Sequence, residues 1–110
     1  LSLSRMEFVK IGNLSEFPEG KMKRVSVKGK DLLVANIAGK IYSIDDICTH
    51  EECSLADGFL RGEVVTCGCH LAQFDVKTGK KVANPATGRN VADEQVFTVK
   101  IEGNEVFVEV

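Results

Sequence analysis

All four cysteines and both histidines of this 110-residue chain fall between Cys48 and His70. They read Cys48-Thr49-His50-Glu51-Glu52-Cys53 and, after a spacer, Cys67-Gly68-Cys69-His70. Each half offers one thiolate and one imidazole at close spacing, Cys48-x-His50 and Cys67-x-x-His70, and each carries one further cysteine. Residues placed for packing would be spread along the chain, so this window is a site. Whatever fold the chain takes must bring its two halves together. Structural zinc sites space their paired ligands as Cys-x2–4-Cys or His-x3–5-His, and Cys-x-His is tighter than that habit. A structural disulfide with two incidental histidines would leave the placement of both histidines unexplained.

A Cys-x-His pair sixteen residues ahead of a Cys-x-x-His pair resembles the Rieske iron–sulfur motif. Ligand order, both short spacings and the spacer length agree together. The resemblance implies one [2Fe–2S] cluster per chain, with Cys48 and Cys67 on one iron and His50 and His70 on the other. Two neutral imidazoles in place of two thiolates remove negative charge, so the added electron is better tolerated. Rieske potentials run from roughly −150 to +300 mV, against about −400 mV for plant-type centres.

At 110 residues, 44% of them hydrophobic, the chain is one domain with a real core. The domain is read as residues 6–110, with 1–5, ahead of Met6, set aside as an appended remnant or disordered end. The large Rieske oxygenases carry a separate mononuclear iron site built on a His/carboxylate triad. With His50 and His70 already assigned, no histidine remains for one. The expectation is an electron-transfer protein, not an enzyme by itself, working within a multi-protein oxidoreductase or oxygenase system.

Net charge is −2, but residues 45–63 hold Asp45, Asp46, Glu51, Glu52, Asp57 and Glu63 against Arg61 alone. That is either a solvated loop or an acidic surface that steers a basic redox partner. An acidic chain without a basic stripe is a poor nucleic-acid binder. No run of eighteen apolar residues and no signal peptide is present, so the reading is a soluble, cytoplasmic, monomeric carrier with no membrane span.

Short alternating runs separated by turn residues recur every eight to twelve positions, which predicts an all-β domain. Strands are expected over Met6–Ile11, Lys21–Val27, Leu32–Ile37, Ile41–Ile44, Glu63–Thr66, Ala72–Val76, Gln95–Ile101 and Glu105–Val110, with no helix of any length. The Leu32–Ile37 run is the most apolar and suits a buried strand. Together with the resemblance, the fold class is a Rieske-like antiparallel β-sandwich or barrel with two cluster-binding loops at one end. Leu55, Phe59 and Leu60 are expected to cover the cluster or pack beneath it. The stretch from Val82 to Gly88 sits where the family has its proline-containing third loop.

High-potential members of the family place a serine and a tyrosine after the second ligand loop, and their hydroxyls donate to sulfur. This chain has Ala72 and Phe74 there, and neither side chain can donate. The expectation is a potential toward the low end of the class, as suits a ferredoxin passing electrons from a reductase to an oxygenase or similar acceptor. The alternative is a small electron-transfer subunit of a larger oxidoreductase complex. Cys53 and Cys69 occupy the positions where high-potential members bridge their loops, so the resemblance implies a Cys53–Cys69 disulfide.

Overall fold

The computed structural model describes residues 6–49 and 53–110. Residues 1–5, set aside above, lie outside that description. Eleven strands form three antiparallel sheets among the described residues. The distal sheet has the order β1 (Phe8–Asn13), β11 (Glu105–Glu109), β10 (Val99–Glu102). The central sheet runs β2 (Met22–Val27), β3 (Lys30–Ile37), β4 (Lys40–Asp45), β9 (Val96–Phe97). The site sheet runs β5 (Phe59–Arg61), β6 (Val64–Thr66), β7 (Gln73–Asp75), β8 (Lys81–Ala83). Among the described residues the helical content is two 3₁₀ turns, Leu14–Glu16 and Leu55–Asp57.

The central hairpins are set by local chemistry. Lys28-Gly29 and Ala38-Gly39 both hold two successive residues at positive φ, the two-residue turn whose twist matches the flanking strands. With β2, β3 and β4 registered by these turns, four successive β3 residues, Leu32 to Ala35, are wholly buried. Successive side chains on a strand point to opposite faces. Leu32 and Val34 therefore pack with Phe17, Phe97, Val106 and Val108, while Leu33 and Ala35 pack with Ile44, Leu55, Val65 and Phe74. The apolar run thus reads as a strand buried on both sides, with a core on each.

The expected strand over 95–101 divides. β9 pairs with β4 in the central sheet and β10 with β11 in the distal sheet, with Thr98 between them accepting the Glu109 amide. A bend that lets a strand change sheets makes a corner, and here it carries Phe97 over the end of the distal core. β5 and β8 are not among the strands expected from the sequence; each is three residues long and lies within a stretch read as loop. The pairing of β4 with β9 closes an excursion of some fifty residues, and that excursion contains the whole site sheet and every Cys and His.

Because β3 serves both cores, Leu32→Ala and Leu33→Ala should each destabilise the protein by about 2–5 kcal/mol in urea unfolding. A loss below about 1 kcal/mol for either would mean that its core closes without it.

Candidate metal centre

The first ligand loop leaves β4 at Asp45. An isolated bridge pairs Ile47 with Ser54, and the Cys48 amide donates to the Cys53 carbonyl at 2.8 Å, so the loop is pinched at its base. The fully buried Asp46 organises the return: its carboxylate accepts from Ser54 Oγ and from the Ala56 amide (2.8 Å), and its carbonyl accepts from Leu55 N. A buried carboxylate is stable only when its oxygens are satisfied in this way. At the tip, the Thr49 amide donates to Glu94 Oε2 at 2.9 Å and Thr49 Oγ1 donates to the Ala92 carbonyl at 2.7 Å. Glu94 is buried. Desolvation raises its pKa to about 8, opposed by the Thr49 hydrogen bond and reinforced by the charges of Asp45 and Asp46.

The second loop is tighter. β6 ends at Thr66, and the Cys67 amide donates to the Ala72 carbonyl (2.8 Å) while Leu71 N donates to the Cys67 carbonyl (3.0 Å). The closure holds Leu71 at φ +67, a conformation that costs a non-glycine residue about 1–3 kcal/mol. Its side chain is exposed beside His70. The proline-containing stretch lies against this loop, as its expected position implies. Pro85 is buried and the Ala86 amide donates to the His70 carbonyl at 2.6 Å.

The two loops meet at Gly58. A Cβ there would overlap the Thr66 carbonyl oxygen and lie 3.1 Å from the Gly68 amide, so only glycine lets the backbones come this close. Beside that contact Cys53 and Cys69 form a disulfide with Cα atoms 6.5 Å apart, within the usual range. Cys69 is exposed and Cys53 half-buried, so the bridge lies on the solvent side of the junction.

Cys48 and Cys67 are 2% and 0% exposed and stand outside the disulfide. The Cys67 sulfur lies within 4.8 Å of both bridged sulfurs. His70 is half-buried at the rim. His50 falls in 50–52, outside the described residues. Two buried thiols and a rim imidazole are a donor set that fits a cluster bound by two thiolates and two imidazoles. Cys48, Cys67, Ala72 and Phe74 share one buried cluster, so the two positions that lack hydroxyls do pack beside the thiols.

One expectation needs correction. Leu55 is buried under the site and Leu60 packs against the same core, but Phe59 is 65% exposed. Strand parity explains this: Leu60 turns inward on β5, so Phe59 and Arg61 turn outward, where they line an open groove with Val64 and Val82. The described members of the acidic stretch differ in setting. Asp46 is interior, Asp45 pairs with Lys30 at 3.3 Å, Asp57 with Arg24 at 3.5 Å and Glu63 with Lys77 at 3.6 Å. Glu51 and Glu52 lie outside the described residues. Thr49, Asp46, Leu71 and Glu94 were not identified from sequence. Glu94 lies 45 residues from its partner, and nothing in Ala92-Asp93-Glu94 marks it.

Residues 7–101 match the Rieske [2Fe-2S] domain family. The chain is 40% identical over 96 residues to the ferredoxin component of a naphthalene 1,2-dioxygenase system from Pseudomonas aeruginosa, covering 87% of this chain and 88% of that one. It superposes on the ferredoxin of carbazole 1,9a-dioxygenase from Nocardioides aromaticivorans with a TM-score of 0.83 at 27% identity, covering 92% and 95% of the two chains. A ferredoxin chain solved in complex with the reduced oxygenase of carbazole 1,9a-dioxygenase gives 0.83 at 31% identity, covering 92% and 91%. With the motif, the all-β fold and the paired loops in agreement, the chain belongs to the Rieske [2Fe–2S] family, and its cofactor is one [2Fe–2S] cluster.

Proposed function

We propose that this protein is a one-electron carrier that takes its electron from a reductase and delivers it to an oxygenase, with Cys48, His50, Cys67 and His70 as the cluster ligands. The observation that carries the reading is the pair of thiols, Cys48 and Cys67, buried in one cluster, with a half-buried His70 on the same loop as Cys67. When bound, the cluster supplies a one-electron couple. The chain supplies its burial, its hydrogen bonds and its access. Cys48 and Cys67 anchor from the core side, while His70 at the rim is the route to a partner. The relatives named above work as ferredoxin components, which supports an oxygenase as acceptor. Exchanging His70 for alanine should abolish the visible spectrum of a Rieske centre while the wild-type protein shows it. An unchanged spectrum would remove His70 from the ligand set.

The potential belongs toward the low end of the class, because Ala72 and Phe74 pack beside the thiols without a hydroxyl to donate. Installing serine at 72 and tyrosine at 74 should raise the midpoint by at least about 30 mV. That corresponds to roughly 0.7 kcal/mol for one electron, the scale of one net hydrogen bond. Voltammetry on the intact cluster decides it, and no upward shift in the double variant defeats the argument.

The compartment we propose is the cytoplasm. Among the described residues no helix is long and apolar enough to cross a membrane. Disulfides are rare in reducing compartments, and Cys53–Cys69 bridges two loops whose backbones already meet at Gly58. Thiol counting on protein stripped of its cluster anaerobically, then denatured without reductant, should find two thiols, Cys48 and Cys67, and four only after reduction. Four at the outset would refute the bridge.

A further inference from the structure

Among the described residues, Glu94 is the buried carboxyl whose hydrogen bond lands on the first ligand loop at Thr49, and neither the family motif nor the electron-transfer reading uses it. Its surroundings make it a junction. The Glu94 amide donates to the Gly79 carbonyl at 2.7 Å, in the turn between β7 and β8. The neighbouring Gln95 carbonyl accepts the Asp45 amide at 2.9 Å, where β4 gives way to the loop. Ala92, two residues earlier, accepts the Thr49 hydroxyl. The strap from Ala92 to Gln95 is therefore tied to the foot of the loop, to its tip and to the site sheet. Of these ties, the side chain of Glu94 alone reaches the peptide between Cys48 and His50.

We propose that Glu94 is a positioning residue: by accepting the Thr49 amide from within the core, it fixes the orientation of the peptide joining the first two ligands, and so the geometry those ligands offer to iron. Thr49 itself is exposed. Without Glu94 its amide would turn to water, and of the two described ties at Thr49 only the hydroxyl–carbonyl contact with Ala92 would remain. A peptide with one tie can still rotate about it, whereas a second bond to a buried acceptor selects one orientation. Burial desolvates Glu94 and the charges of Asp45 and Asp46 add to the effect, so its pKa is raised to about 8. The contact itself needs only an oxygen at Oε2 to accept the Thr49 amide. A glutamine offers a carbonyl oxygen at the same reach and can stand in for it as an acceptor.

This proposal rests on the ligand assignment above, and the experiment separates the two. Glu94→Gln and Glu94→Met have side chains of nearly equal length, but only the first keeps an acceptor. Both are compared with wild type by the half-life of visible absorbance under mild urea, by the electron paramagnetic resonance g-values of the reduced cluster, and by the midpoint potential. Glu94→Gln should match wild type in all three. Glu94→Met should lose its absorbance about tenfold faster, the effect of a lost hydrogen bond at a loop anchor, with shifted g-values and a shifted midpoint. Three results would overturn the proposal. They are a Glu94→Met protein with wild-type g-values and midpoint, a Glu94→Gln protein as impaired as Glu94→Met, or a Glu94→Met protein whose sheet circular dichroism is lost altogether. If wild type itself shows no Rieske signal, the ligand assignment fails first and the proposal falls with it.

Discussion

One strand joins the two halves of this molecule. β3 contributes Leu32 and Val34 to the distal core and Leu33 and Ala35 to the core beneath the ligand loops, with all four wholly buried. Burying an aliphatic side chain of this size is worth roughly 1.5–3 kcal/mol, so the stability of each core depends on the placement of the same short segment. Strand register makes this possible, because neighbouring residues necessarily face opposite layers. The type of turn at Lys28-Gly29 and Ala38-Gly39 fixes that register. A slip of one residue would exchange the two faces and present each core with the side chains meant for the other.

Above this base, the site is held by ties of different chemical kinds. Backbone bonds pinch each ligand loop at its own base, from Cys48 to Cys53 and from Cys67 to Ala72. The close approach at Gly58 and the Cys53–Cys69 bridge join one loop to the other. Asp46 and Glu94 anchor the first loop to the interior through carboxyl oxygens. Irregular backbone has no ladder to satisfy its polar groups, and these side chains take the place of one. The pairing of hydroxyl-free neighbours with bridged loops is unusual in the terms of the family resemblance: the bridge belongs to its high-potential branch, while Ala72 and Phe74 do not.

Much of this was legible in the sequence because its signals are local. The ligand spacing identified the family, the alternating runs located most strands, and the apolar run at Leu32 marked a buried strand. What could not be read depends on contacts distant in the chain or on parity. Whether Phe59 or Leu60 faces the core depends on which residue begins β5, and three residues do not disclose it. Asp46 reads like its acidic neighbours, yet it is interior, because only the folded loop brings Ser54 and Ala56 to its carboxylate. Gln95–Ile101 alternates as one strand, and the bend at Thr98 arises only from the competing demands of two sheets. The role of Glu94 is a pairing across 45 residues and has no local trace.

The pairing of β4 with β9 has an architectural consequence. Ser43 opposes Phe97 and Ile44 opposes Val96, so the chain leaves for the metal-binding region and returns from it at adjacent points of one sheet. Seen from the base, that region is an insertion into a hairpin, a graft whose two stumps are already hydrogen-bonded to each other. Such an arrangement lets the grafted part vary in length and detail with little disturbance to its host. The base is a handle, and the same handle could carry a differently tuned head.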